Sequence, residues 1–325
     1  MSDKNKLMGL TEAVEKFVHD GDLISLGGFS ATLCPMATVH EIIRQKIKHL
    51  HIAVCSNGQA VDELIGGGCV ERIEIAYGGN GRFAPTCLHF RKAIEQGSLK
   101  VEDYSNYQMT LRFMAGAMGV PFLPTYSSLG TDIVNKWGFG EEYRAQDERL
   151  PLKKLVIKDN PFNRTDKIDK LVLVPALQPD VTIIHAQKAD ALGNVSLKGL
   201  VYSDLEQVKA SKNVIVTCEE IVETDELRCN PEYNQIISFQ VSAVVEVPWG
   251  AYPTAVPSYY DYDPAFLLHF YPKVAKDSIE WQKYLDEYIV GVKDRQEFLQ
   301  LIGTERLDSL RADAVCGYNP ELKRR

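Results

Sequence analysis

The sequence predicts an α/β protein: an open, mostly parallel sheet with covering helices, in one continuous domain over residues 1–325. Three observations carry this. Short apolar runs of strand length recur, each followed by a glycine-rich or polar turn and then a helical pattern. Parallel strands need such crossover helices, so the alternation is their signature. Hydrophobic residues make up 45% of the chain, enough for a sizeable core. No internal repeat, low-complexity tract or linker divides the 325 residues, a length that one large α/β domain accommodates.

Residues 11–18 read as a short helix with Thr11 as N-cap and apolar Ala13, Val14, Phe17 and Val18 on one face. A turn at 19–22 leads to a buried strand at 23–26 that ends on Gly27-Gly28-Phe29. A helix at 38–45 follows, then a strand at 52–55 ending on Ser56-Asn57-Gly58. After a helical piece at 60–65, a strand at 72–77 ends on Gly78-Gly79-Asn80-Gly81. Three successive strands thus finish in residues that let a backbone approach a ligand, and open sheets bind ligands at the carboxyl ends of their strands.

A polar loop, 103–108, precedes an apolar, small-residue helix at 109–118. Its hydroxyls and amides could cap that helix or aim a donor at an oxyanion or a ligand carboxylate, and spacing alone leaves both open. Residues 138–169 are charged and contain Pro151 and Pro161, which predicts an excursion from the sheet, a β-hairpin arm with one strand at 154–157. Further strands are expected at 171–175, 181–185, 214–218 and 242–247, and another after the turn at 189–195. Helices at 278–285 and 295–301 close the chain.

Composition excludes several classes of function. A net charge of −8 and no Lys/Arg stripe argue against a nucleic-acid partner, and the basic run at 323–325 reads as a solvated terminus. The polar N-terminus lacks a signal-peptide pattern, and no window of about 18 apolar residues suits a membrane span. The seven cysteines are scattered, without a C-x-x-C pair. They read as reduced thiols, and the expected location is cytoplasmic.

Familiar catalytic signatures are missing: no phosphate loop, dinucleotide fingerprint, H-E-x-x-H or nucleophile elbow. His49 and His51 would share a strand face but have no third ligand, so no metal is expected. His185, at the end of a buried strand, reads as a hydrogen-bonded structural histidine rather than a general base. Glu219 and Glu220 stand where a catalytic carboxylate could, yet read as capping the next segment or pairing with an arginine. Cys55, with no adjacent histidine, reads as a small core residue.

Several segments, in order, carry a family resemblance. They include Leu23-Ile24-Ser25-Leu26-Gly27-Gly28-Phe29, Glu102-Asp103-Tyr104-Ser105, Leu129-Gly130-Thr131-Asp132 and Asp159-Asn160-Pro161-Phe162. Val181-Thr182-Ile183-Ile184-His185-Ala186-Gln187, Ala191-Leu192-Gly193-Asn194-Val195 and Val216-Thr217-Cys218-Glu219-Glu220-Ile221 continue the set, with Gly250-Ala251-Tyr252-Pro253 and Tyr260-Asp261-Tyr262-Asp263. Spanning residues 10–310, this set resembles the A subunits of class I CoA-transferases, in particular the glutaconate branch.

The resemblance implies an open α/β fold, a B-subunit partner in a hetero-oligomer, and an active site at the interface. CoA esters are substrates, with no cofactor. A B-subunit glutamate attacks the acyl-CoA carbonyl, and an acyl-glutamyl anhydride followed by a glutamyl-CoA thioester passes CoA to an acceptor carboxylate. The nucleophile's glutamate-glycine motif has no match in this chain. The resemblance puts Asn106 where the family carries an oxyanion-hole amide, usually Gln, and Ser105 beside it is a substrate-binding candidate. Gly27, Gly28 and Phe29, with Ser56 and Asn57, match strand ends lining the acyl and CoA pocket. Gly79, Asn80 and Gly81 match the loop near a dicarboxylate's far end, and Gly81 replaces a serine of the glutaconate enzyme. Two alternatives stand beside transfer: a decarboxylase or hydrolase of a glutaconyl-type CoA ester on the same scaffold, and a non-catalytic binding subunit. A ring-cleaving hydrolase branch has a glutamate in the 103–108 loop, so Asn106 argues against that chemistry.

Overall fold

The computed structural model describes residues 5–81, 87–164 and 169–324. Four strands come first: β1 (Leu23–Leu26), β2 (Leu50–Asn57), β3 (Val70–Gly78) and β4 (Lys100–Asp103). Three more form a separate small sheet: β5 (Phe122–Thr125), β6 (Val156–Asp159) and β7 (Lys170–Pro175). The main sheet then resumes with β8 (Val181–Ala189), β9 (Val195–Ser196), β10 (Asn213–Ile221), β11 (Asn234–Ile236) and β12 (Ala243–Glu246).

Seven strands of the main sheet are parallel, in the order β4-β3-β2-β1-β8-β10-β12. β9 and β11 add to it in antiparallel fashion alongside the last residues of β8. The chain therefore builds outward from β1 to β4 on one side, then returns to lay β8 on the other. Strand order reverses between β1 and β8, the switch point at which open α/β sheets hold ligands.

Helices cover both faces, which is why β1 and β2 are buried along their whole length and read as unbroken apolar runs. Alternate residues serve different cores: Ile24, Leu26, Ile52 and Val54 pack in the larger one, Leu23, Ala53 and Cys55 in the smaller. Each fully buried Ile, Leu or Val contributes roughly 1.5–3 kcal/mol relative to exposure. The helix Asn106–Met118 lies on the smaller core and packs against the helix Asp204–Ala210. Among the described residues, no helix is long and apolar enough to cross a membrane.

Four expectations need correction. The first helix is Leu10–Phe17, with Gly9 as N-cap and no side-chain cap, so Thr11 sits inside it. The excursion is a three-stranded antiparallel sheet, β5-β7-β6, rather than a hairpin; its residues 165–168 lie outside the described residues. Residues 171–175 do form a strand, but as β7 of this arm and not of the main sheet. The strand expected at 154–157 begins two residues later, because Lys154 is fully buried as an anchor. Its ammonium lies 2.8 Å from Asp103 and 3.4 Å from Glu102, both on β4.

Candidate active site

The ends of β1, β2 and β3 meet around Ser30. Its N–H donates to the Ser56 carbonyl (3.0 Å), and its backbone bridges to Asn57 in parallel fashion. The Gly79 N–H donates to the Asn57 carbonyl (3.2 Å), and Ser30 Oγ to the Gly79 carbonyl (3.4 Å). The three glycine-rich turns form one continuous wall.

Every backbone donor of residues 27–30 is used within the protein. Gly27 N–H donates to Ile183 (2.8 Å), Gly28 N–H to Asp204 Oδ1 (2.7 Å), and Phe29 N–H to Thr32 (2.9 Å). The turn therefore offers a ligand close approach, not backbone N–H donors. Its glycines are sterically required: a Cβ on Gly27 would lie 2.4 Å from Asp204 Oδ1. One on Gly28, whose φ is +81°, would lie 2.5 Å from the Thr32 carbonyl. Asp204 is buried, and burial raises its carboxyl above the usual range. Two residues before it, Tyr202 rests against Phe29 with ring centroids 4.7 Å apart.

The polar loop divides its work in a way that spacing alone left open. Ser105 caps the helix Asn106–Met118 through a reciprocal pair: Gln108 N–H donates to Ser105 Oγ (3.1 Å), and Ser105 N–H to Gln108 Oε1 (3.0 Å). Such a cap is worth about 1 kcal/mol. Asn106, the first helical residue, takes no part in it. Its Oδ1 accepts from Ser56 Oγ (2.9 Å), and among the described residues its Nδ2 has no acceptor. The amide is half-buried at the positive end of a 13-residue helix, a setting that favours negative charge.

Asn57 is fully buried and structural: Nδ2 donates to the Gly27 carbonyl (3.4 Å) and Oδ1 accepts from Val61 N–H (3.3 Å). Asn80 ends a buried polar chain. Its Nδ2 donates to Gln59 Oε1 (3.2 Å), Gln59 Nε2 donates to Glu63 (2.7 Å), and Glu63 pairs with His40 (2.8 Å). Because Glu63 only accepts, each amide upstream has its orientation fixed. A Cβ on Gly81, whose φ is +66°, would lie 3.3 Å from Ser30 Oγ.

Other candidates lie outside this constellation. His185 Nδ1 contacts Thr217 Oγ1 (2.8 Å) and its Nε2 contacts Glu219 (2.7 Å). Glu219 also accepts from Tyr260 OH and Trp249 N–H, each at 2.7 Å, so both side chains are structural. The arginine expected to pair with the two glutamates is replaced by His185 for Glu219 and Lys188 for Glu220. His49 and His51 do not share a strand face, since β2 begins at Leu50. His49 is exposed beside Glu71 and His51 is buried against Glu74.

Cys55 is buried against Ser203 Oγ (3.2 Å), and burial pushes its thiol up to about 11. Cys34 rises to about 12 and Cys69 to about 11 for the same reason, whereas Cys229 and Cys316 are exposed. Iodoacetamide at pH 8 is therefore expected to modify exposed Cys229 first, exposed Cys316 more slowly because partial desolvation and Asp313 beside it raise its thiol, and the other five only after denaturation. Rapid labelling of Cys55, read by mass spectrometry, would restore it as a nucleophile.

A groove of about 630 Å³ lies beside β12 and is lined by stretches 7–11, 245–248 and 293–296. None of Ser30, Ser56, Asn80 or Asn106 borders it.

Glycine-rich ends of three parallel strands and an amide whose Nδ2 has no acceptor among the described residues thus lie side by side. The chain belongs to the coenzyme A transferase family, whose model matches residues 7–246, and it is one component of a CoA-transferase. It is 38% identical to the A subunit of glutaconate CoA-transferase from Acidaminococcus fermentans, over 98% of both chains. It is 37% identical to the A subunit of 3-oxoadipate CoA-transferase from Pseudomonas knackmussii, over 90% of this chain and 96% of that one. The crystal structure of the Acidaminococcus glutaconate enzyme superposes with a TM-score of 0.92, covering 97% of this chain and 98% of that one.

Sequence reasoning missed Ser30, Tyr202 and Asp204. The Gly-Gly pair of the first turn held the one available signal, since it implies that some group, here the Asp204 carboxyl, lies too close for a Cβ.

Proposed function

We propose that this chain supplies the acyl-binding wall and oxyanion donor of a two-component transferase, moving CoA between an acyl-CoA and a dicarboxylic acid such as glutaconate. The observation that carries this is Asn106 Nδ2, without an acceptor among the described residues, at a helix start beside Ser56. Beside the wall, Asp204 is buried and engaged by Gly28, Cys55 by Ser203 and Cys34 by the Ser30 carbonyl. A partner B subunit would bring the glutamate. Its carboxylate oxygen bonds to the thioester carbon, the carbonyl electrons move onto oxygen, and Asn106 Nδ2 donates to that oxyanion. Collapse expels CoA thiolate and leaves the anhydride. Thiolate attack on the glutamyl carbonyl then releases the first acid, and the acceptor carboxylate reverses the sequence.

The near-complete match to A-type relatives supports reading 1–325 as one domain. Free cysteines at all seven positions suit a reducing compartment such as the cytoplasm. The test is to co-purify the chain with its B subunit, supply acetyl-CoA and glutaconate, and trap with borohydride. CoA exchange and a reduced glutamate on the partner are expected, with neither chain active alone. Hydrolysis or decarboxylation without exchange would overturn the transferase reading.

A further inference from the structure

Asn106 carries an amide, and an amide has two ends that the protein must tell apart. With Nδ2 outward it can donate to an oxyanion. Turned over about its last bond it would present Oδ1, whose lone pairs repel one. The two ends are so alike in size that shape alone does not choose between them. The choice falls to whatever bonds the inner end.

That partner is Ser56, near the end of β2 and only 3% exposed. Its Oγ lies 2.9 Å from Asn106 Oδ1, and this is the hydroxyl's one bond among the described residues. A hydroxyl has a single proton to donate, and burying that proton without an acceptor is unfavourable. In the observed orientation Ser56 O–H donates to Oδ1. In the reversed one Nδ2 would donate to Ser56 Oγ, and the serine proton would have no acceptor among the described residues. The usual penalty for an unsatisfied buried group favours the observed orientation by a factor of roughly 5–150.

Neither partner is free to turn away. The Ser56 carbonyl accepts from Ser30 N–H (3.0 Å), and Ser56 is in register with Tyr77 on β3. The Asn106 carbonyl accepts from Thr110 Oγ1 (3.1 Å), and the Ser105–Gln108 cap fixes the start of its helix. Strand and helix thus hold hydroxyl and amide face to face.

We propose that Ser56 is a positioning residue: its hydroxyl, by donating to Asn106 Oδ1, keeps the amide N–H turned toward the reacting carbonyl. This deepens the transferase reading above and rests on it. The bonds run head to tail, from Ser56 O–H through the amide to the oxyanion, so the first also polarises Nδ2–H and strengthens the second. Ser56 acts through Asn106 and not on the substrate.

The experiment measures CoA exchange from acetyl-CoA to glutaconate by the co-purified complex. Ser56→Ala is expected to lower kcat about tenfold, short of the effect of deleting an oxyanion donor outright, with the KM for both substrates unchanged. Ser56→Cys fills the same space with only a weak S–H donor, so it should show a similar loss. In an Asn106→Ala background, where no amide remains to orient, Ser56→Ala should change kcat by less than about twofold. An equal loss in both backgrounds would place Ser56 on the substrate or in the fold and overturn the proposal. Full activity in Ser56→Cys, or a loss confined to KM, would overturn it as well. No exchange with any acid by the unsubstituted complex would overturn the transferase reading and this proposal with it.

Discussion

Asn106→Ala is expected to lower turnover of the assembled transferase by about 100-fold or more, the usual effect of deleting one preorganised oxyanion donor (about 3–4 kcal/mol of barrier). Assembly and thermal stability should barely change, because Ser105 and Gln108 cap the helix without Asn106. Asn106→Asp sharpens the test. It keeps the acceptor for Ser56 Oγ but has no N–H, and its charge would oppose an oxyanion. Both variants should therefore be slow, with similar KM for the acyl-CoA. Turnover within threefold of the parent in Asn106→Ala, measured by CoA exchange beside a size-exclusion profile, would remove Asn106 from the site.

Glu102→Ala is expected to be the most destabilising single change near the site. The Glu102 carboxylate is fully buried on β4, and it holds the arm. It takes a bond from the Arg144 guanidinium and one each from Gly138 N–H (2.7 Å) and Phe139 N–H (3.3 Å), with Lys154 at 3.4 Å. Arg144 and Lys154 are themselves buried, so truncation would leave them short of countercharge. Breaking such a buried set by removing one partner costs roughly 3–5 kcal/mol, against at most about 1 kcal/mol for an exposed pair such as Lys136 with Asp132. At about 2 °C per kcal/mol, the melting temperature should fall by roughly 5–10 °C. A drop of under 1 °C in a thermal melt of the complex would contradict this account. Activity should suffer as well, since β4 runs through Tyr104 and Ser105 directly into Asn106.

What the sequence disclosed follows from how locally each feature is determined. β1 was readable with its true bounds because a strand buried on both faces must be apolar throughout. β4 was not, because Lys100-Val101-Glu102-Asp103 has three charged residues in four, and the burial of Glu102 depends on Arg144, 42 residues away. Residues 171–175 were legible as a strand but not as part of the arm. Their partner β5 is a four-residue edge strand containing Pro124, which carries little strand signal of its own. At the site, Asn106 and Ser56 could each be named, yet their meeting depends on β2 and the start of a helix 50 residues further on. Tyr202, in the loop beyond β9, and Asp204, at the start of the helix Asp204–Ala210, both reach the first turn, which no local pattern could indicate.

The switch point also bears on the order in which the molecule can assemble. Leu23 N–H reaches Asp180 Oδ2 across 157 residues of chain, and the seam between β1 and β8 closes only when those two regions meet. Contacts of such long sequence separation incur their loop-closure entropy before they return any energy, so they form late. Gly27 is bound to Ile183 and Gly28 to Asp204, both on the far side of that seam. The first turn of the wall therefore takes its shape only after the two halves of the sheet have joined. A half-folded chain presents strands and helices but no surface able to receive an acyl group, which ties competence for ligand to completion of the fold.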